Sequence, residues 1–179
     1  MGTSKHITPQ KGFASLVLGV FLLSTGPTRS EAQTLAEIQL SLLYPNAALE
    51  AYSAAQFAAS KTTALFAGVP GQQIPHNNAA DAFRHALWNA KMNATIGEEL
   101  AKKFADAHEE APGNPPAEKA MDLHNNAKGR TIIVKDGVGN IVTDDDLVFA
   151  VTQLALMGEL AVIQGPDATA VMMDIIGAH

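Results

Sequence analysis

The sequence contains no cysteine, and aromatic residues make up only 6% of it, with a single tryptophan. The lack of cysteine excludes disulfides, thiolate catalysis and zinc sites with sulfur ligands. A bound metal ion would therefore need His, Asp, Glu, Asn or water as ligands. The net charge of −6 disfavours non-specific binding of nucleic acid or anionic lipid.

The N-terminal segment has the features of a signal peptide. Two lysines precede an apolar run over residues 12–23, and Ser30 and Ala32 occupy positions −3 and −1 of a cleavage site. We predict a signal peptide over residues 1–32, export to the periplasm or medium, and one mature domain over residues 33–179. The run is too short for a stable membrane anchor, so none is expected after processing. Cleavage removes three basic residues and one acidic residue, so the net charge becomes −8.

The hydrophobic pattern predicts a mainly α fold: a single-domain bundle of five to six helices with a small β-hairpin before the last long helix. The hairpin is indicated by two β-branched runs, at Thr131–Val134 and Asn140–Thr143. Residues 147–163 are almost all apolar and are expected to form a central buried helix. A terminal helix is expected over about 168–176.

Capping residues set the other expected boundaries. A short helix is expected to end near Leu43, and Asn46 is expected to cap a helix that runs to about residue 66. Thr95-Ile96-Gly97-Glu98 has the form of a capping box for a helix that ends near residue 110. Asn114 followed by Pro115 predicts the start of the next helix, and Gly129 is expected at its C′ position.

One predicted helix, over about 81–93, carries a polar stripe. Asp81, His85 and Asn89 are spaced i, i+4 and i+8, and apolar faces that include Phe83 and Leu87 flank them. Because a helix that is apolar on two sides is buried, the three polar side chains must find partners inside the protein.

Three histidines on three successive predicted helices are each expected to face inward. His85 lies in the polar stripe, His108 precedes Glu109, and His124 is at the centre of an apolar arc. Brought together, and joined by Glu109 or Asp81, they would have the ligand count of a catalytic zinc site with an open position. The sequence has no H-E-x-x-H motif.

A metal-free alternative uses one imidazole. His85, held by Asp81, would act as a general base on water, while Asn89 or Asn125 polarises an acyl or phosphoryl oxygen. The candidate catalytic residues are His85, His108, Glu109, His124 and Asn125, and the candidate metal ligands are His85, His108, His124 and Asp81.

Other charged residues are expected to have structural roles. Arg84 and Trp88, four residues apart, are expected to form a packing or cation–π pair. Arg130 is expected to form a salt bridge with Asp122, with a position at the entrance of the pocket as the alternative. Asp122 and Asn126 are expected to lie on a solvent-exposed face, opposite the apolar arc of their helix.

Three ordered blocks resemble those of a bacterial family known as a domain of unknown function, found in exported proteins and at the ends of wall-associated or toxin-like proteins. The blocks are Arg84-His85-Ala86-Leu87-Trp88-Asn89-Ala90, Asp106-Ala107-His108-Glu109, and Met121-Asp122-Leu123-His124-Asn125-Asn126 through Gly129-Arg130. The resemblance covers about residues 42–130. It implies that the positions to examine are His85, His108, Glu109, Asp122, His124, Asn125 and Asn126. A weaker similarity links the first block to the catalytic helix of secreted phospholipases of the A2 type, although Ala86 follows His85 here.

These observations predict a secreted hydrolase with a buried His/Glu/Asn pocket, acting on lipid or cell-envelope substrates and using a divalent metal such as zinc if one is bound. The alternative is a non-catalytic exported helical module, in which the polar stripe is a hydrogen-bond network that fixes helix register. Nucleic acid is not an expected partner.

Overall fold

The computed structural model describes residues 34–135, 139 and 141–177, and the predicted signal peptide lies outside them. The described residues form seven helices: α1 (Leu35–Leu43), α2 (Pro45–Phe66), α3 (Ala79–Ile96), α4 (Glu98–His108), α5 (Pro116–Arg130), α6 (Asp144–Leu156) and α7 (Ala168–Gly177). The prediction of a mainly α fold is confirmed, but the number of helices exceeds the expected five to six.

The predicted hairpin is reduced to one isolated antiparallel bridge, between Lys135 and Ile141. Next to it, the Val142 N–H donates to the Val134 carbonyl at 3.1 Å. No strand is formed in the described part of the chain, and most of the expected turn (136–138 and 140) lies outside the described residues. A single bridge supplies too few hydrogen bonds between the two segments to stabilise a regular β-hairpin.

Helix α3 is the centre of the bundle. It packs against α2, α4, α5, α6 and α7, and twelve of its eighteen residues are buried. The prediction that this helix is buried on two sides is confirmed, since Phe83 and Leu87 are fully buried and so are the polar residues of the stripe.

Two asparagines fix the start of α3. The Asn78 side chain accepts from the Asp81 N–H at 3.1 Å, which makes it an N-cap. The Asp81 carboxylate in turn accepts from the Asn77 N–H at 2.7 Å. This capping arrangement holds the first turn of α3, and with it Asp81, in a fixed position.

Several boundary predictions are wrong for local reasons. Pro45 takes the first position of α2, where its missing N–H costs no hydrogen bond, so Tyr44 and not Asn46 is the N-cap. Thr95 lies inside α3, and its hydroxyl donates to the Lys91 carbonyl. Gly97, with φ of 79°, separates α3 from α4, so no capping box forms there.

Helix α5 starts and ends later than expected. Pro116 is its first residue and Pro115 its N-cap, so Asn114 is outside the helix. Gly129 was expected just after the helix, but it is a buried residue inside it. The structural reason is that the backbone of α3 passes very close to Gly129.

The last long helix is shorter and more exposed than predicted. Helix α6 ends at Leu156, because Gly158 adopts φ of 73° and the Glu159 N–H closes the helix by donating to the Leu154 carbonyl. Only one face is buried, and Phe149 is 66% exposed. No helix in the described ranges has the length and apolarity needed to cross a membrane.

Candidate functional site

The candidate site lies where α3 and α5 make their closest approach. A Cβ atom added to Gly129 would lie 2.0 Å from the carbonyl oxygen of Ala86, so only glycine fits there. Because residues three and seven positions before Gly129 face the same way, Asn126 and Asp122 are brought against His85. The close contact therefore positions the polar side chains of both helices.

His85 is at the centre of this cluster and is only 2% exposed. Its Nδ1 lies 3.2 Å from Asn126 Oδ1, and its Nε2 lies 2.9 Å from the Arg84 Nη2. Two carboxylates approach Nε2, Asp122 Oδ1 at 3.4 Å and Asp81 Oδ1 at 3.7 Å. Each ring nitrogen of His85 is therefore held by a different set of neighbours.

Asn126 links His85 to the rest of the buried network. Its Oδ1 accepts from Asn89 Nδ2 at 2.7 Å, and its Nδ2 donates to Glu109 Oε1 at 3.2 Å. At the far end, Arg130 Nη1 donates to Asn89 Oδ1 at 2.6 Å. The predicted salt bridge from Arg130 to Asp122 is thus wrong, because the guanidinium binds the amide oxygen on α3 instead.

Arg84 is part of the cluster through Asp81 and His85, and its predicted pair with Trp88 stays a prediction. Its Nη2 and Nε donate to Asp81 Oδ1 at 2.8 and 3.3 Å. The Arg84 side chain is 25% exposed, compared with 3% for that of His85. Arg84 therefore lies at the solvent side of the cluster.

Asp122 is the member of the cluster that has a buried carboxyl oxygen without a hydrogen-bond partner. Its side chain is 13% exposed, yet Oδ1 is buried and has no hydrogen-bond partner. The prediction of a solvent-exposed face for Asp122 and Asn126 is wrong, since Asn126 is fully buried. Buried polar atoms are rarely left unpaired in folded proteins, so an exception needs an explanation.

Burial and local charge move the protonation equilibria of the cluster in opposite directions. Burial, together with the positive charge of Arg84, lowers the pKa of His85 to about 3. Burial, together with the negative charges of Glu109 and Asp81, raises the pKa of Asp122 to about 8. At neutral pH the imidazole is therefore uncharged, and Asp122 is predominantly a neutral carboxylic acid.

The other two carboxyl groups also differ from each other. Burial raises the pKa of Glu109, which is 2% exposed. Burial acts in the same direction on Asp81, but the charge interactions with Arg84 and His85 and the hydrogen bond from the Asn77 N–H outweigh it, so the pKa of Asp81 is lowered. The lowered pKa of Asp81 is consistent with its role as the anionic partner of Arg84.

Asp81, His85 and Asp122 each offer one ligand atom, and these atoms lie within 4.8 Å of one another. Among the described residues, this is the one group of three or more His, Asp and Glu side chains with such spacing. The guanidinium of Arg84 already contacts two of the three atoms, Asp81 Oδ1 and His85 Nε2. The protein itself therefore supplies a positive charge at this point, and a metal ion would have to displace it.

The structure brings together some of the predicted site residues. His85, Asp81 and Glu109 share one cluster, and His85 Nδ1 lies 3.8 Å from Glu109 Oε1. His108 lies beside it: its ring is 5.4 Å from that of Trp88, and its Nδ1 is 2.9 Å from Glu37 Oε1. His108 is therefore paired with α1 and does not belong to the group with metal-like spacing.

The prediction that His124 faces inward is wrong. Its side chain is exposed, and Nε2 donates to the Glu159 carbonyl at 2.9 Å. Asn125 is buried as expected for a site residue, but both ends of its amide bind the backbone of Ala161 at 2.9 Å. A three-histidine metal site is thus not formed in the described residues, because α5 turns its polar face, and not its alanine-rich face, towards α3.

Sequence reasoning from periodicity missed three members of the cluster: Arg84, Asp122 and Asn126. The resemblance pointed to the last two, since both lie in the third block. A signal in the sequence itself was the spacing of Asp122, Asn126 and Gly129, which places a carboxylate, an amide and a glycine on one helix face. A glycine inside a helix indicates close packing, and close packing would have placed its polar neighbours inside.

No solved structure matches the chain. The family model described as "Domain of unknown function (DUF6973)" matches residues 38–153, an interval that contains the whole His85 cluster and reaches into α6. It also contains the segment of about 42–130 over which the sequence resembles an uncharacterised family. The chain therefore belongs to this domain family, DUF6973.

Proposed function

We propose that this protein is a hydrolase whose active centre is formed by His85, Asp122, Arg84 and Asp81. The observation that carries the proposal is the 3.4 Å approach of the buried, unpartnered Asp122 Oδ1 to His85 Nε2. A fold gains nothing from an unpaired buried carboxyl oxygen, whereas a hydrolytic site needs an acid and a base close together.

The two groups have complementary protonation states for this chemistry. Arg84 only donates hydrogen bonds, so His85 Nε2 presents a lone pair towards it and can accept a proton. Asp122 carries a proton at neutral pH and can give it away. Groups whose environments separate their pKa values in this way are typical acid and base pairs of enzymes.

In the proposed reaction, water gives a proton to His85 Nε2 as its oxygen attacks an acyl or phosphoryl centre. The bond to the leaving oxygen then breaks, and Asp122 supplies the proton that this oxygen takes up. The imidazolium returns its proton to the Asp122 carboxylate 3.4 Å away, which restores the starting state. Arg84, at the solvent side, moves from Nε2 to the oxygen on which negative charge develops.

The substrates best suited to test this are esters found in lipids and the cell envelope, because export of the protein is predicted. The full chain should be assayed against phospholipid vesicles, cell-wall fragments, a soluble acyl ester and a soluble phosphodiester. His85→Gln should lower turnover of the substrate that is cleaved by 100-fold or more, roughly the contribution of one general base. His76→Gln, in the loop before α3, is the matched control and should keep turnover within about twofold.

The same assay tests the predicted metal dependence. Loss of turnover in EDTA, with recovery on adding a divalent cation, supports a metal ion held by Asp81, His85 and Asp122 in place of Arg84. Turnover that is insensitive to EDTA supports the reaction through Arg84 alone. A folded wild-type chain that cleaves no member of the panel contradicts the hydrolase proposal.

A non-catalytic helical module is the second candidate. It is favoured by the hydrogen bonds that join Arg130, Asn89, Asn126 and Glu109 into one buried network, which would fix the register of α3 against α5. On this account His85→Gln lowers the free energy of unfolding and the wild type shows no turnover. The two candidates therefore differ in what His85→Gln changes: the hydrolase loses turnover, and the helical module loses only stability.

A further inference from the structure

We propose that Arg130 and Asn89 are positioning residues that fix which nitrogen of His85 carries the proton, acting through Asn126. The inference rests on the proposed function only for its catalytic consequence, because the position of the proton can be observed without any substrate. The inference follows from which atom donates and which accepts in each hydrogen bond between Arg130 and Arg84.

The chain begins at a group that can only donate. A guanidinium has no acceptor, so the atom of Asn89 that faces Arg130 at 2.6 Å must be the oxygen. The amide nitrogen of Asn89 then points the other way, towards Asn126 at 2.7 Å and the His85 carbonyl at 3.2 Å. The orientation of the Asn89 amide is therefore set by Arg130.

The next link follows from the first. Because Asn89 donates to Asn126, the receiving atom must be Asn126 Oδ1, and Asn126 Nδ2 faces Glu109 Oε1 at 3.2 Å. A carboxylate accepts hydrogen bonds, so Glu109 favours the same orientation. Asn126 Oδ1 is thus also the atom that lies 3.2 Å from His85 Nδ1.

An acceptor next to Nδ1 requires that Nδ1 carry the hydrogen. The neutral ring then has its lone pair on Nε2, which faces a second donor-only group, Arg84 Nη2 at 2.9 Å. The chain has a donor-only arginine at each end, and the Nδ1–H tautomer satisfies every link. With the proton on Nε2, donors would face each other at Arg84 and two lone pairs would face each other at Asn126.

The catalytic consequence is that Nε2 stays available as the base on the side of Asp122. Arg130 contacts neither His85 Nε2 nor Asp122, yet it determines whether Nε2 can accept a proton. We therefore expect changes in Arg130 or Asn89 to act on the tautomer ratio of His85.

Nitrogen NMR of the full chain with labelled histidine tests the inference directly. It distinguishes a pyrrole-like nitrogen, which bears hydrogen, from a pyridine-like nitrogen, and the His85 signals are identified by their loss in His85→Gln. At pH 7 the wild type should show a pyrrole-like Nδ1 and a pyridine-like Nε2. A pyrrole-like Nε2, or an equal mixture of tautomers, overturns the inference.

Asn89→Asp reverses the donor and acceptor roles in this series of hydrogen bonds, while the side chain keeps nearly the same shape. The new carboxylate still accepts from Arg130 but cannot donate to Asn126, so Asn126 Nδ2 turns towards residue 89 at the expense of its bond to Glu109 Oε1, and His85 Nδ1 must accept. We expect the tautomer ratio to shift towards Nε2–H by about tenfold or more, since one buried hydrogen bond changes an equilibrium by roughly that factor. The matched control is Asn46→Asp, at an exposed position in the first turn of α2, which should keep the wild-type tautomer. An unchanged ratio in folded Asn89→Asp overturns the inference.

If Asn89→Asp does not fold, Arg130→Met and Arg130→Lys make the same comparison. The methionine removes the donor and should raise the fraction of Nε2–H, whereas the lysine keeps a donor and should not. Equal tautomer ratios in the two variants overturn the role of Arg130. A lack of hydrolase activity alongside the expected tautomer shift would contradict the proposed function only, so the two failures are distinguishable.

Discussion

Helix α3 is packed on two sides by helices of very different chemistry. Towards α2 the contact is apolar: a row of buried alanines on α2, and Phe66 with its ring edge-on to Phe83 at a centroid distance of 5.6 Å. On α5 the buried residues are Met121, Asn125, Asn126 and Gly129, and Asn126 contacts both His85 and Asn89. The α2 side shows that this chain can bury α3 mainly with alanine and phenylalanine, and the one polar side chain buried on α2, Thr62, is uncharged.

This contrast indicates that the functional residues lie on the α5 side of α3. Buried polar groups cost free energy unless every one is paired, and Asp122 Oδ1 is not. One hydroxyl on α2, Thr62 Oγ1, is also buried without a partner, but the α3–α5 contact carries the larger cost because its buried groups are ionisable. Natural proteins accept such local conflicts mainly at functional sites, which supports placing the active centre between α3 and α5.

The largest expected effect is loss of the close approach itself. Gly129→Ala places a methyl group 2.0 Å from the Ala86 carbonyl oxygen, and both atoms belong to rigid helix backbone. We expect a loss of about 3 kcal/mol or more in the free energy of unfolding, measured in urea, since overpacking that shifts backbone is costly. Gly68→Ala, where an added Cβ meets nothing within 4 Å, is the control. Equal stability of the two variants would contradict the described helix contact.

A variant on the apolar side should cost stability without altering the site chemistry. Phe83 is fully buried, so Phe83→Ala is expected to lower the free energy of unfolding by about 3–5 kcal/mol. Phe149→Ala, at a position that is 66% exposed, should change it by less than about 0.5 kcal/mol. Similar losses in both variants would place the core elsewhere.

The two sides of α3 should also differ in their response to pH. The folded-state pKa of Asp122 is raised to about 8 from 3.8, so its contribution to stability is present at low pH and is lost as pH rises towards 8. The pKa of His85 is lowered to about 3 from 6.5, so its contribution is present above 6.5 and is lost as pH falls towards 3. Between about 4 and 6.5 the two effects largely cancel.

Above pH 6.5 only the effect of Asp122 remains. Wild-type stability should therefore fall between pH 6.5 and 8 by up to about 1.4 kcal/mol per pH unit, and Asp122→Asn should remove most of this slope. Urea unfolding of both proteins over this range checks the prediction, with Asp106→Asn on the surface of α4 as the control. The same slope in wild type and Asp122→Asn would show that Asp122 is not the titrating group.

The buried helix α3 was predictable from the sequence because its pattern is self-consistent. Asp81, His85 and Asn89 form one stripe with apolar residues on both sides, and a helix of that kind has no face left for water. Hydrogen-bond partners for the stripe were correctly expected inside the protein. Their identity was not predictable, since it depends on which helix packs against α3.

The orientation of α5 was predicted wrongly because periodicity assumes that apolar residues are the buried ones. On α5 the alanine-rich arc around His124 faces solvent, and the face with Asn126 and Gly129 is buried. Alanine gains little from burial, whereas the close approach at Gly129 brings the two backbones together and lets the polar side chains pair. The candidate site therefore arises from tertiary packing, and a pattern along one helix does not specify it.

The most direct test of the account is to measure turnover and the free energy of unfolding for one preparation of Asp122→Asn at pH 7. At this pH Asp122 is mostly uncharged in the folded chain but ionised in the unfolded chain, so an amide of the same shape removes the cost of protonation, and the free energy of unfolding should equal or exceed that of the wild type. We predict that turnover nevertheless falls by about 100-fold, because the general acid is lost. Unchanged turnover, or lost stability in a chain without hydrolytic activity, would show that the cluster between α3 and α5 is a structural network.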